Sequence, residues 1–119
     1  MNTINEYQEL AQRTNANSYT NLDVDLCPSE QWILHAQIGI ASEAGEIADA
    51  LKKHFIYGQD LDCDNIHEEC GDLLWYIALM LEATGSDMET VMLDNIEKLK
   101  IRYPEKFTEE HAAKRLDKV

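Results

Sequence analysis

The chain has 119 residues and a formal net charge of −13, and 45% of its residues are hydrophobic. That length is expected to form one domain, residues 1–119, with a modest core, and the apolar content argues against wholesale disorder. The acidic surface repels nucleic acids and anionic membranes, and no apolar run approaches the ~20 residues of a bilayer span, so neither partner is expected.

The opening "MNTINEYQEL" lacks the basic-then-apolar pattern of a signal peptide. Cys27, Cys63 and Cys70 form no CxxC pair, and an odd, dispersed set suggests reduced thiols in a cytoplasmic protein. Few glycines and prolines and no alternating strand pattern predict an all-α chain. A short amphipathic helix is predicted over 3–15, carrying Ile4, Tyr7, Leu10 and Ala11. Residues 15–27 read as a polar loop, after which Ser29 can cap a long helix over 29–57 with Gly58 as its stop. A second loop, "GQDLDCD", leads to a helix over 65–84 opened by an Asn65/Glu68 capping box. Asp60, Asp62 and Asp64 fit the first positions of a calcium loop. Asn65 stands where its glycine belongs, however, and Gly71 where its bidentate acid belongs, which argues against that reading. Ser86 with Glu89 opens a fourth helix over 86–102, Pro104 stops it, and a tail over 103–119 holds a short helix from Thr108.

In the second helix, Glu43 and Glu46 lie three residues apart and point the same way, bordering the stripe Ile33, Ile40, Ala44, Ile47 and Leu51. In the third, Glu69 projects from a face that carries Ile66, Leu73, Tyr76 and Met80, with Asp72 at its edge. A carboxylate on an apolar face must protonate or find a cation. Either a base reaches it, or several acids converge on a metal. The stretch from Leu73 to Leu81 contains no base, and helices joined by a short loop run antiparallel in contact, so Glu43 and Glu46 can face Glu69 and Asp72. Oxygen-only ligands suit Mg²⁺, with Mn²⁺ as a substitute, and argue against zinc. A di-iron bundle needs Glu-x-x-His on two helices, and no Glu here has a His three residues later. Trp75 points away from the Glu69 face and is expected in a subunit contact or a second core layer. On the fourth helix, Asn95, Lys98 and Arg102 share one face, suited to orienting a carboxylate and holding phosphates. Taken alone, these residues leave open both a metal-dependent enzyme and a non-enzymatic acidic helical interaction or regulatory protein.

"GIASEAGEIADALKKH", "EECGDLLWYIAL" and "NIEKLKIRYPEKF" together resemble the MazG-like family of all-α nucleoside triphosphate pyrophosphohydrolases, over roughly residues 3–107. The family's ExxE…ExxD metal motif is matched by Glu43, Glu46, Glu69 and Asp72, and its Asn-x-x-Lys-x-x-x-Arg-Tyr-Pro segment by Asn95, Lys98, Arg102, Tyr103 and Pro104. The resemblance implies Mg²⁺-dependent hydrolysis of an NTP or dNTP to the monophosphate and pyrophosphate, with metal-activated water attacking the α-phosphate. Glu43, Glu46, Glu69 and Asp72 are then the metal ligands, with Glu46 and Glu69 in catalytic roles. Asn95, Lys98, Arg102, Tyr103 and Lys53 are phosphate- or substrate-binding candidates, and Trp32 and His35 are candidates for the base. Apolar residues on several sides of the helices, such as Leu74, Trp75 and Ala78, imply completion of a four-helix-bundle-like core by oligomerisation. Relatives of this kind are dimers or dimers of dimers, so a homodimer or homotetramer with a shared site is expected.

Overall fold

The computed structural model describes residues 1–16, 19, 21–22, 25–104 and 108–115. Part of the predicted 15–27 loop, Glu105, Lys106 and Phe107 of the "RYPEKF" segment, and the end of the expected tail therefore lie outside the described residues. The described chain is all-α: α1 (Ile4–Gln12), α2 (Pro28–Phe55), α3 (Cys63–Thr84), α4 (Met88–Arg102) and α5 (Glu109–Lys114).

Helix ends follow local chemistry, displaced by one to three residues from the predicted caps. Pro28 has no N–H to satisfy and suits the first helical position, so α2 starts there, while Glu30 accepts a bond from the Cys27 N–H at 3.0 Å. Asp62 caps α3 by accepting from the Asn65 N–H (3.1 Å), and Asp87 caps α4 by accepting from the Thr90 N–H (2.9 Å). At the end of α3, Gly85 takes φ 79°, a left-handed conformation that glycine adopts without steric cost, and the Ser86 N–H reaches back to Leu81 O at 2.9 Å. Thr108 caps α5, as its position in the sequence suggests.

The framework is the α2–α3 pair. Positions ascending along α2 meet positions descending along α3: His35 lies near Trp75 and Tyr76, Gly39 against Tyr76, and Ala50 near Asn65. The helices are therefore antiparallel. Gly39 is what lets them close. A Cβ there would fall 2.5 Å from Tyr76 Cγ and nearer still to the ring's Cδ1 and Cε1.

The first helix holds the start of α4. Gln8, almost fully buried, accepts from the Met88 N–H (2.7 Å) and donates to Glu82 Oε2 (3.0 Å) and Ser86 O (3.1 Å). Asn5 Oδ1 accepts from the Glu89 N–H at 3.1 Å. Two amide donors of the α4 first turn, which have no partner inside their own helix, are thus satisfied from α1. The Trp75 indole N–H pins the end of α1, donating to Ala11 O (3.1 Å) and Thr14 Oγ1 (2.9 Å). Trp75 therefore joins α1 to α3 within one chain and packs on the buried cluster of Ala11, Ala78 and Met88, where a subunit contact or a second core layer was expected. A wheel shows which way a side chain points and not which short helix lies across it.

The core is thin. Among described residues only Ala11, Ala36, Ala50, Ala78, Leu79 and Met88 are buried hydrophobics, whereas Val91, Met92, Leu93, Ile96 and Ile101 along α4 all lie 40–57% exposed. The principal extents are 50 × 42 × 33 Å and the radius of gyration is 17.8 Å, against about 13.5 Å for a compact chain of this length. Among the described residues, no helix is long and apolar enough to cross a membrane.

Candidate metal and nucleotide site

Glu43 stands one turn beyond Gly39 on α2, and Asp72 one turn before Tyr76 on α3. The close approach of the two helices therefore brings these carboxylates together. Glu43, Glu69 and Asp72 each offer an oxygen within 4.8 Å of the others. Glu43 and Glu69 are half-buried and Asp72 is exposed. Among described residues, no lysine, arginine or histidine forms an ion pair with any of them. The electrostatics record the crowding: a carboxyl–carboxylate hydrogen bond with Glu43 raises the Glu69 pKa, partial burial adds to this, and the charges of Glu43 and Asp72 push it further. Three oxygen donors held together without a counter-charge suit a hard divalent cation, because one ion relieves repulsions that a shared proton only partly relieves.

A cleft of about 370 Å³ opens over this group, walled by His35, Glu43, Asp72, Trp75 and Tyr76. Trp75 and Tyr76 were not singled out as site residues by the sequence. Their signal was the aromatic pair beside Asp72, readable only once Gly39 is known to seat the Tyr76 ring. The Tyr7 phenol pKa is raised, first by burial and then by the charge of Asp72, which places α1 beside the same cleft.

The remaining candidates are distributed differently. Glu46 is exposed and lies outside the three-carboxylate group. Lys53 is bound to Asp49 at 2.8 Å, and this hydrogen bond chiefly raises the lysine pKa. Asn95, Lys98, Arg102 and Tyr103 follow α4, whose main contacts are with α1 and α5 and whose first residue, Met88, joins Ala78 of α3 in the core. The Arg102 guanidinium lies 5.9 Å from the Tyr103 ring centre. Trp32 is half-buried and its indole N–H donates to Ala16 O at 3.1 Å. His35 makes T-shaped contacts with three aromatic rings, with centroids 5.0 Å (Tyr19), 5.4 Å (Tyr76) and 6.1 Å (Trp75) away. Its Nδ1 lies 2.8 Å from the Tyr19 hydroxyl.

Residues 32–107 match the family model described as "MazG nucleotide pyrophosphohydrolase domain". The chain is also similar to the Gene 37 protein of Mycobacterium phage L5, 31% identical over 81 residues that cover 64% of this chain and 70% of the phage protein. No solved structure matches.

Proposed function

Because the chain belongs to the MazG nucleotide pyrophosphohydrolase domain family, we propose that it hydrolyses a nucleoside triphosphate to the monophosphate and pyrophosphate in a Mg²⁺-dependent reaction. The observation that carries this reading is the convergence of Glu43, Glu69 and Asp72 from two helices, with no ion pair to any of them among the described residues. These residues would hold the ion. Mg²⁺, or Mn²⁺ in its place, supplies charge neutralisation between carboxylates and a polyanionic substrate and makes water more acidic.

The protein's own groups do the rest. Glu46, one helical turn beyond Glu43, accepts the proton of the water that attacks the α-phosphorus. A new P–O bond forms there as the α–β bridging bond breaks, and pyrophosphate departs with the electron pair. Lys98 and Arg102 balance charge on that leaving group, and Asn95 and Tyr103 orient it. Lys53 is a subsidiary candidate, since Asp49 already holds it.

Within one chain α4 packs mainly on α1 and α5, and the cationic ladder meets a carboxylate cluster where copies assemble. The exposed apolar side chains of α4 and the large radius of gyration support a homodimer or homotetramer in which bundled helices are completed by a second copy. Three free, exposed cysteines suit a reducing, cytoplasmic setting.

Pyrophosphate release from a panel of NTPs and dNTPs, with Mg²⁺ and with a chelator, tests the reading. Metal-dependent release that disappears in Glu69→Gln, with helicity retained, is expected. Equal release by that variant removes the carboxylate cluster from the reaction.

A further inference from the structure

A second cleft, about 470 Å³, lies between Tyr19, Asn21 and Leu22 on one side and α2 on the other, and shares His35 with the carboxylate cleft. We propose that it is the subsite for the base of the nucleoside triphosphate, and that it grips the base mainly by apolar contact with Leu22, Leu34 and Ile38. The proposal rests on reading the carboxylate cluster as the phosphate end of the site.

Three observations carry it. Continuity comes first: with His35 forming a wall of both clefts, a molecule whose phosphates engage Glu43, Glu69 and Asp72 can lay its other end past His35 into the second space. Its volume lies within the roughly 300–1,000 Å³ usual for small organic ligands. Lining chemistry is the second. Leu34 and Ile38 are 36% and 59% exposed, leaving apolar surface at the opening that suits the face of a planar ring.

The third is how the polar groups are used. Gln31 lines the cleft, but both ends of its amide are engaged: Oε1 accepts from the Tyr19 N–H (3.3 Å) and Nε2 donates to Leu26 O (2.8 Å). It holds Tyr19 and Leu26 in place and does not read a ligand. The Trp32 indole N–H is likewise engaged with Ala16 O. The Tyr19 hydroxyl donates to Asn15 Oδ1 at 3.2 Å and lies 2.8 Å from His35 Nδ1, so it is engaged on both sides. His35 Nε2 and the exposed Asn21 amide are the polar groups left to meet a base. A pocket built this way separates bases weakly. Apolar fit alone discriminates by about 10- to 200-fold per small group, far less than a site that hydrogen-bonds the full edge of its ligand.

Leu22→Trp and Ile38→Trp fill the cleft from opposite walls without touching the carboxylates. Calorimetric titration with Mg²⁺ should compare an α,β-methylene nucleoside triphosphate with inorganic tripolyphosphate, which has no base. The unaltered protein is expected to bind the nucleotide more tightly. Each variant should lose about tenfold or more for the nucleotide and stay within about twofold for tripolyphosphate. Undiminished nucleotide affinity in both variants overturns the proposal. Equal losses for both ligands also overturn it, since the cleft then belongs to the packing of one copy on another. Failure of the underlying reading looks different: the unaltered protein binds neither ligand in a Mg²⁺-dependent way.

Discussion

Replacing Gly39 by alanine probes the contact that brings the carboxylates together. The new Cβ would fall 2.5 Å from Tyr76 Cγ, deep inside van der Waals distance. The ring cannot simply swing clear, because the His35 and Trp75 rings stand at centroid distances of 5.4 and 5.1 Å. Forcing a methyl into such packing costs about 1–3 kcal/mol. Removing a glycine from a helix interior returns about 1 kcal/mol. Gly45→Ala, on the same helix with nothing within 4 Å of its Cβ, gains the helical term without the clash. The two variants should therefore differ by about 1–3 kcal/mol in urea denaturation, roughly 4–12 °C in melting temperature. Gly45→Ala should be the more stable. Gly39→Ala should also lose turnover, since Glu43 and Asp72 lie one turn from the wedge on either helix. Equal stability of the two variants would refute the claim that Gly39 sets the helix separation.

Other outcomes follow from the same geometry. Gln8→Leu leaves the Met88 N–H buried without its acceptor and should cost about 1–3 kcal/mol in chemical denaturation; an unchanged midpoint would contradict the assigned role of α1. Glu69 has a raised pKa, so the folded, metal-free protein holds that proton more tightly than the unfolded chain. The resulting stability is complete below the ordinary carboxylate range and is lost as pH rises through the raised value. A divalent ion must displace the proton, so its affinity should increase with pH across that window, and calorimetry in buffers of different ionisation enthalpy should register proton release. No release would contradict the shared-proton description. Lys98→Ala should lower kcat/KM about tenfold or more, and Lys53→Ala, whose ammonium already belongs to Asp49, by less; steady-state kinetics with the reverse order would exchange their roles.

Helical periodicity made part of this arrangement legible in advance. Carboxylates at 43, 69 and 72 fall on faces determined by backbone geometry, which let their convergence be expected from spacing alone. The all-α class followed from the same periodicity and from sparse glycine and proline. What periodicity could not convey is where one helix lies on another. Gly39 carries no side chain to announce itself, yet its contact with Tyr76 determines which turn of α2 faces which turn of α3. The direction in which Trp75 points left a subunit contact and a second core layer both open until α1 was found across it, and the hydrogen bond of Trp32 depends on Ala16, whose place no wheel describes. The direction of α4 depends on Asn5 and Gln8, more than 70 residues away in sequence, meeting its first turn.

The central claim is that Glu43, Glu69 and Asp72 jointly hold a divalent cation that a nucleoside triphosphate then engages. Equilibrium Mn²⁺ binding, followed by electron paramagnetic resonance with and without an α,β-methylene nucleoside triphosphate, tests this most directly. The unaltered protein should bind Mn²⁺ more tightly when the analogue is present, and Glu69→Gln should lose at least about tenfold in Mn²⁺ affinity. A Glu69→Gln protein that takes up Mn²⁺ and analogue as the parent does would contradict the account.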